Sequence, residues 1–186
     1  MATLHLLEKE ELKQIADELG SWVGYMQQPL PRDSFGVAQS IEVCTISYSD
    51  LRNSEKSAQA CLQTNGIWHI QVWTRDSPDY YARVSHGQDG KGWQVNSLYG
   101  PGTARKIDAA LRQVDKQFED AYNIRLVEIP AYYITGLTLE KGEELLVYII
   151  STPPGLPVKP GTAYPFEDLR RILHEVAPVR GVNIKD

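Results

Sequence analysis

The sequence has few residues that could build a disulfide framework or a metal site. It contains only 2 cysteines, Cys44 and Cys61, and 4 histidines, with no C-x-x-C or H-x-H spacing among them. Disulfide-rich domains need several cysteines, and structural zinc sites need clustered cysteine and histidine. We therefore expect no disulfide, no bound metal and a reducing, cytoplasmic compartment.

Long apolar segments and a basic leader are also lacking. The longest apolar run, Leu145–Ile150, is far shorter than the roughly 20 residues that cross a bilayer. The opening Met1–Leu7 carries no lysine or arginine and runs directly into acidic residues, which is not typical of a secretion signal. We expect no membrane partner.

There is no excess of basic residues and no nucleotide-binding motif. Lys and Arg number 19 against 24 Asp and Glu, giving a net charge of −5. Such a chain is not expected to attract nucleic acid through its overall charge. Neither the P-loop nor the dinucleotide-binding glycine pattern occurs, so we expect no cofactor.

Two short motifs recur in the same order. Pro-Asp-Tyr-Tyr at Pro78–Tyr81 precedes Pro-Gly-Thr-Ala at Pro101–Ala104, and Pro-Ala-Tyr-Tyr at Pro130–Tyr133 precedes a second Pro-Gly-Thr-Ala at Pro160–Ala163. A turn rich in glycine or charge separates the motifs in each copy, and a helical pattern follows each copy. Self-similarity of this kind indicates a repeated structural unit, here a tandem βββα repeat.

Alternation of side chains predicts three strands in each repeat. They lie at Ile67–Trp73, Tyr80–Ser85, Trp93–Leu98, Ile124–Ile129, Tyr132–Leu139 and Glu144–Ile150. An apolar stripe ending at Tyr122 predicts a helix that follows Thr103, and Pro165–Val176 predicts the second.

The segment before the repeats is predicted to begin with a helix. Its apolar stripe is formed by Leu12, Ile15, Leu19, Val23 and Met26. The following stretch, Val37–Tyr48, fits helical spacing, but its β-branched residues favour a strand over Ile41–Tyr48, so both remain open.

Together these patterns predict an α+β protein. A mainly antiparallel sheet would be built from the tandem βββα repeat, with the repeat helices on one face, plus the N-terminal helix. The predicted division is an N-terminal segment over 1–66, a first repeat over 67–123 and a second over 124–186, with 66–186 forming one compact domain.

One face of the first repeat carries the main candidate site. If Trp68, Ile70 and Val72 face the core, alternation presents a second face that mixes aromatic and polar side chains. That face comprises His69, Gln71, Trp73, Tyr81, Arg83, Gln94 and Asn96. Exposed, it would suit a small molecule or a protein partner. The alternatives are an ordinary solvated face, or one that the N-terminal helix covers.

A possible anion site lies at the start of the first repeat helix. Thr103 is a candidate N-cap, and Arg105 and Lys106 would add positive charge near the free backbone amides. The simpler interpretation is that this stretch only caps the helix.

The leading functional hypothesis is a non-enzymatic binding module, with a homodimer as a further prediction. Its ligand-binding residues would be Trp73, Tyr81, Arg83, His69 and Gln94. The alternative is an enzyme of unassigned class in which Cys44 is activated by His69 or His86, with Arg83 as an anion anchor.

Overall fold

The computed structural model describes residues 3–4, 7–23, 35–74, 77–87, 90 and 92–179. Within these ranges nine strands form a mostly antiparallel sheet, accompanied by four α-helices. The predicted α+β class and the predicted N-terminal helix are confirmed. No helix in the described ranges is long and apolar enough to span a membrane.

The helices and strands follow one another in this order along the chain. They are β1 (Thr3–Leu4), α1 (Lys9–Val23), β2 (Phe35–Thr45), α2 (Tyr48–Arg52), β3 (Gln63–Thr74), β4 (Ser77–His86), β5 (Trp93–Tyr99), α3 (Pro101–Gln117), β6 (Asn123–Ile129), β7 (Ile134–Lys141), β8 (Glu144–Ser151), β9 (Ala163–Pro165) and α4 (Phe166–His174).

The chain divides into two compact units. Unit 1 comprises Met1–Leu4, Val43–Asn65 and Ala110–Asp186, and unit 2 comprises His5–Glu42 and Gly66–Ala109. β2, β3 and α3 therefore each contribute residues to both units.

In unit 2, β3, β4 and β5 form an antiparallel meander, and β2 lies beside β3. One face of this meander packs against α1, because the apolar stripe of α1 needs an apolar surface to leave water. The buried residues of this core are Ile15, Leu19, Ile70, Val72, Ala82, Val84, Trp93 and Val95.

In unit 1, β6 to β9 form a second antiparallel run. β1 and β2 both pair with β6 in parallel, at Thr3↔Asn123 and Val43↔Leu126. Helix α4 buries its apolar stripe in the core of this unit through Phe166, Leu169 and Leu173.

The ambiguous stretch at Val37–Tyr48 is mainly a strand. β2 runs from Phe35 to Thr45, and α2 begins at Tyr48, where the hydroxyl of Ser47 accepts a hydrogen bond from the amide of Asp50. The N-terminal helix is present as α1, whereas Met26 of its predicted stripe lies outside the described residues.

The tandem βββα repeat is not confirmed, because its paired motifs adopt different structures. Pro78–Tyr81 lies within β4, whereas Pro130–Tyr132 forms a 3₁₀ turn that ends at Tyr133 in the left-handed region, with φ 49°. The strand order also differs, since the second stretch has an additional strand, β9, before its helix.

The two Pro-Gly-Thr-Ala motifs differ in the same way. In the first, α3 already begins at Pro101, which suits proline because the first helical position needs no amide donor. In the second, Ala163 begins β9, and α4 begins only at Phe166. The prediction of Thr103 as the helix N-cap was therefore wrong, because Thr103 lies inside the first turn.

Gly136→Ala should destabilise the protein strongly, since β7 is packed closely against β8 at this position. A Cβ at Gly136 would lie 2.6 Å from the backbone oxygen of Tyr148, which cannot move without disturbing the sheet. We expect the free energy of unfolding to fall by about 1–3 kcal/mol, measured by urea denaturation.

Gly102→Ala is the matched control. No atom lies within 4 Å of its added Cβ, and alanine favours a helix more than glycine does. This variant should be as stable as the wild type or more stable, by up to about 1 kcal/mol. Equal losses in the two variants would contradict the close approach at Gly136.

Candidate functional site

The strand register in unit 2 brings the polar residues of the first meander onto one face. Directly paired residues in an antiparallel sheet share a face, and the pairs His69↔Arg83, Gln71↔Tyr81 and Tyr81↔Tyr99 do so here. We call this surface the polar face. Its members are His69, Gln71, Trp73, Tyr81, Arg83, Ser85, Gln94, Ser97 and Tyr99.

Two local irregularities leave this face intact. The register shifts once between Val72 and Trp73 and once between Arg83 and Val84. The second shift leaves Asn96 without a paired residue in β4, and its side-chain amide donates to the hydroxyl of Ser85 at 2.9 Å. Alternation therefore continues correctly on both sides of each bulge.

The centre of the polar face is buried, which corrects the expectation of an exposed surface. The exposed fractions of His69, Gln71 and Tyr81 are 3%, 2% and 0%. The side-chain amide of Gln71 donates to Oδ1 of Asp108 at 3.4 Å, so α3 reaches this face on the side opposite α1. Sequence reasoning considered a covering helix, but named the N-terminal one.

Exposure increases away from this centre. Trp73, Arg83 and Tyr99 are half-buried, and Gln94 on β5 is exposed. The five residues predicted to bind a ligand thus share one face, but they range from fully buried to solvent-accessible.

Several buried polar atoms on this face have no hydrogen-bond partner among the described residues. They are Nδ1 and Nε2 of His69, Nε1 of Trp73 and the hydroxyl of Tyr81. Buried polar groups are nearly always paired, and each unpaired one costs about 1–3 kcal/mol. The two other such atoms among the described residues are Nε of Arg52 and Nε of Arg170, whose guanidinium groups donate through other nitrogens. The polar face has three such side chains on two neighbouring strands.

Burial and two charged neighbours keep His69 and Tyr81 neutral. Burial, assisted by the charge of Arg83, lowers the pKa of His69 to about 3. Burial raises the pKa of Tyr81, and the charge of Asp108 raises it further. At neutral pH the face therefore presents an imidazole and a phenol, both uncharged.

Aromatic rings surround the His69 imidazole. The ring centroid of Tyr99 lies 5.2 Å from that of His69, and the centroid of Tyr81 lies at 6.1 Å. Both pairs are tilted, with interplanar angles of 36° and 43°. Tyr99 was not among the predicted ligand-binding residues; its alternation with Ser97 could have indicated it only if the bulge at Asn96 had been foreseen.

The predicted catalytic residues are not all brought together. His86 lies on the face of β4 that packs on α1, where its ring stacks on Trp93 at 4.1 Å, whereas His69 lies on the opposite face. The fully buried thiol of Cys44 donates to the carbonyl of Leu126 at 3.5 Å.

The predicted anion-site residues lie in the first two turns of α3. Thr103, Arg105 and Lys106 are all exposed to solvent. Their arrangement is that of an ordinary helix start, and an anion site there stays a prediction.

Sequence reasoning missed a buried ionic cluster in unit 1. Asp50 binds Lys56 and Gln63, each through a contact of 2.5 Å. The guanidinium of Arg170 donates to the backbone carbonyl of Lys56 at 2.8 Å and to the thiol of Cys61 at 3.1 Å. Residues so far apart in the chain give no local signal of such a cluster.

The electrostatics of this cluster point to a structural role. Burial alone would raise the pKa of Asp50, but hydrogen bonds from Lys56, Ser47 and Gln63 outweigh it, and the pKa is lowered. Burial raises the pKa of Cys61 despite the neighbouring Arg170, so the thiol stays protonated at neutral pH. The cluster ties α4 to the segment that follows α2.

No group of potential metal ligands occurs in the part of the chain that the structure describes. Comparisons of the chain with protein-family models, with curated proteins and with solved structures found no match. The polar face is therefore the structural basis for inferring a function.

Tyr81→Phe should stabilise the protein in the absence of a ligand. The substitution removes a buried hydroxyl that has no partner among the described residues and keeps the ring. We expect the free energy of unfolding to rise by about 1–3 kcal/mol in urea denaturation.

Tyr132→Phe provides the control, because its equally buried hydroxyl donates to the carbonyl of Leu173 at 2.8 Å. The free energy of unfolding of that variant should be about 1 kcal/mol lower than that of the wild type. A loss of stability in both variants would show that the hydroxyl of Tyr81 is paired.

His69 should make stability fall as the pH decreases from about 6.5 to about 3. Its pKa of about 3 in the folded state lies below the ordinary histidine value of about 6.5, so in this range the unfolded chain binds a proton that the folded chain does not. For each pH unit of acidification within this range, the free energy of unfolding should fall by about 1.4 kcal/mol.

Urea denaturation at several pH values can isolate this effect as the difference between the wild type and His69→Gln. The wild type should lose stability more steeply than this variant on acidification. His86→Gln, which removes an exposed imidazole, is the matched comparison variant. Parallel curves for the wild type and His69→Gln would exclude a buried neutral His69.

Proposed function

We propose that this chain is a non-enzymatic binding module that holds a small molecule on the polar face of unit 2. The observation that carries the proposal is the group of unpaired buried atoms on His69, Trp73 and Tyr81. Left unpaired, these three side chains would cost roughly 3–9 kcal/mol. That cost is comparable with the entire net stability of a typical domain, about 5–15 kcal/mol.

A ligand that bonds to these atoms would recover much of the cost. Ligand sites commonly combine apolar or aromatic walls with a few polar groups, and this face has both kinds of side chain. Burial of His69 and Tyr81 favours a small molecule over a protein partner, because a protein surface would have to reach side chains that are almost inaccessible.

The protonation states favour binding over acid–base catalysis. An effective general acid or base has a pKa near the working pH, whereas the pKa of His69 is lowered to about 3 and that of Tyr81 is raised. The alternative is an enzyme in which Cys44 is activated by His69 or His86. His86 lies on the sheet face that packs on α1, and His69 lies on the opposite face, so the two imidazoles do not form one site.

We further propose that the stretches β3–β4–β5–α3 and β6–β7–β8–β9–α4 descend from one duplicated βββα unit, with both repeat helices on one sheet face. The shared order of a three-stranded meander and a following helix supports this origin. A cytoplasmic location and a homodimer likewise remain predictions from the sequence.

A thermal-shift screen of a metabolite library on the full chain tests the binding site. We expect at least one compound to raise the melting temperature of the wild type, because a ligand at about 100 times its Kd adds about 2.7 kcal/mol of stability. In the double variant His69→Phe/Tyr81→Phe the same compound should bind about tenfold more weakly or worse, since two hydrogen bonds are lost.

Tyr132→Phe in unit 1 should bind the compound as the wild type does. If no compound stabilises the wild type, or if every stabilising compound binds the double variant equally well, the polar face is not a binding site.

A further inference from the structure

The unpaired atoms on the polar face define the hydrogen-bonding pattern that a ligand must match. The indole of Trp73 can only donate, the neutral imidazole of His69 donates once and accepts once, and the hydroxyl of Tyr81 does both. The site thus offers three donors and two acceptors. A matching molecule needs at least two acceptors, such as carbonyl oxygens, together with one or more N–H donors.

The charges around these atoms balance one another. Arg83 lies beside His69 as its paired residue on β4, and Asp108 faces Tyr81 and Gln71 from α3. Both charged residues already have interactions within the protein. A charged ligand would be attracted by one of them and repelled by the other, and it would also lose its hydration. An uncharged ligand avoids both costs.

The rings at the site favour a flat molecule. His69 lies near both Tyr81 and Tyr99, so the hydrogen-bonding atoms are set among aromatic surfaces. Flat rings stack on such surfaces with additional stabilisation. Exposure increases from Tyr81 through the half-buried Tyr99 to the exposed Gln94, and we infer that a ligand enters from the β5 side.

We propose that the ligand of the polar face is an uncharged, planar heterocycle with carbonyl acceptors and ring N–H donors, bound as a free base and not as a nucleotide. This inference rests on the proposed binding function and specifies its ligand class. Tyr99 covers His69 from the β5 side and makes the stacking contact.

Four probes applied to the full chain by isothermal titration calorimetry at neutral pH test the proposal. Uracil has two carbonyls and two ring N–H groups and is uncharged. Orotate adds a carboxylate to the same ring, uridine monophosphate adds ribose and phosphate, and benzene has a flat ring without polar groups.

Uracil should bind with a Kd at least about tenfold lower than that of each other probe. Tyr81→Phe should weaken uracil binding by roughly three- to tenfold, the effect of one lost hydrogen bond. Trp73→Phe is a second variant, which removes the indole donor together with one of the two fused rings, and circular dichroism would verify that both variants are folded. Tyr132→Phe should leave uracil binding unchanged.

Other outcomes separate this inference from the binding function itself. Equal or tighter binding of orotate or uridine monophosphate would overturn the uncharged free base, and equal binding of benzene would overturn the role of the polar atoms. If none of the probes binds but the library screen yields a ligand that requires Tyr81, the ligand class is wrong and the site stands. If the library screen also yields no ligand that requires the polar face, the proposed binding function is wrong.

Discussion

A polar side chain that leaves water must find another partner, and His69 and Tyr81 have left water almost completely. On one side, α1 packs on the apolar face of β3 and β4. On the other side, Asp108 of α3 accepts a hydrogen bond from Gln71 on the polar face. An antiparallel meander usually keeps one face in solvent, where polar side chains need no protein partner. Here polar and apolar residues still alternate, but water is excluded from the centre of the polar face and cannot pair with its polar side chains.

The ionic cluster of unit 1 shows the usual solution to this problem. Asp50 is nearly buried, yet Lys56 and Gln63 each bind one of its carboxylate oxygens. These pairs hold elements together, although Nε of Arg170 in the same cluster and Nε of Arg52 also have no partner among the described residues. The polar face differs in having three side chains with unpaired atoms on two neighbouring strands, and groupings of this kind are typical of functional sites.

The face on which each strand residue lies could be predicted from the sequence, whereas the elements that cover each face could not. Alternation correctly placed His69 and Tyr81 on one face and Ile70 on the other, because the side-chain period of a strand is fixed by its backbone. Exposure could not be predicted in the same way. It depends on where α3 lies, and a hydrogen bond such as Gln71–Asp108 joins residues whose separation in the chain carries no pattern.

The repeated motifs misled for a related reason. Pro-Gly-Thr-Ala starts a helix where Arg105 and Lys106 continue it, but it leads into β9 where Tyr164 and Pro165 follow. Four residues set local turn preferences, and the tertiary neighbours decide between helix and strand. The same limit explains the missed cluster around Arg170, whose partners Lys56 and Cys61 lie more than 100 residues away in the chain.

The placement of the two charges on the polar face gives the strongest indication of its chemistry. Arg83 stands beside the imidazole, where a cation disfavours protonation, and Asp108 stands near the phenol, where an anion disfavours ionisation. Burial is the larger cause of both pKa shifts and the two charges add to it, whereas exchanged charges would oppose the effect of burial. The register that sets His69 opposite Arg83 thus stabilises the uncharged form of each group. A face built in this way is suited to hydrogen bonding with a molecule whose own protons stay in place.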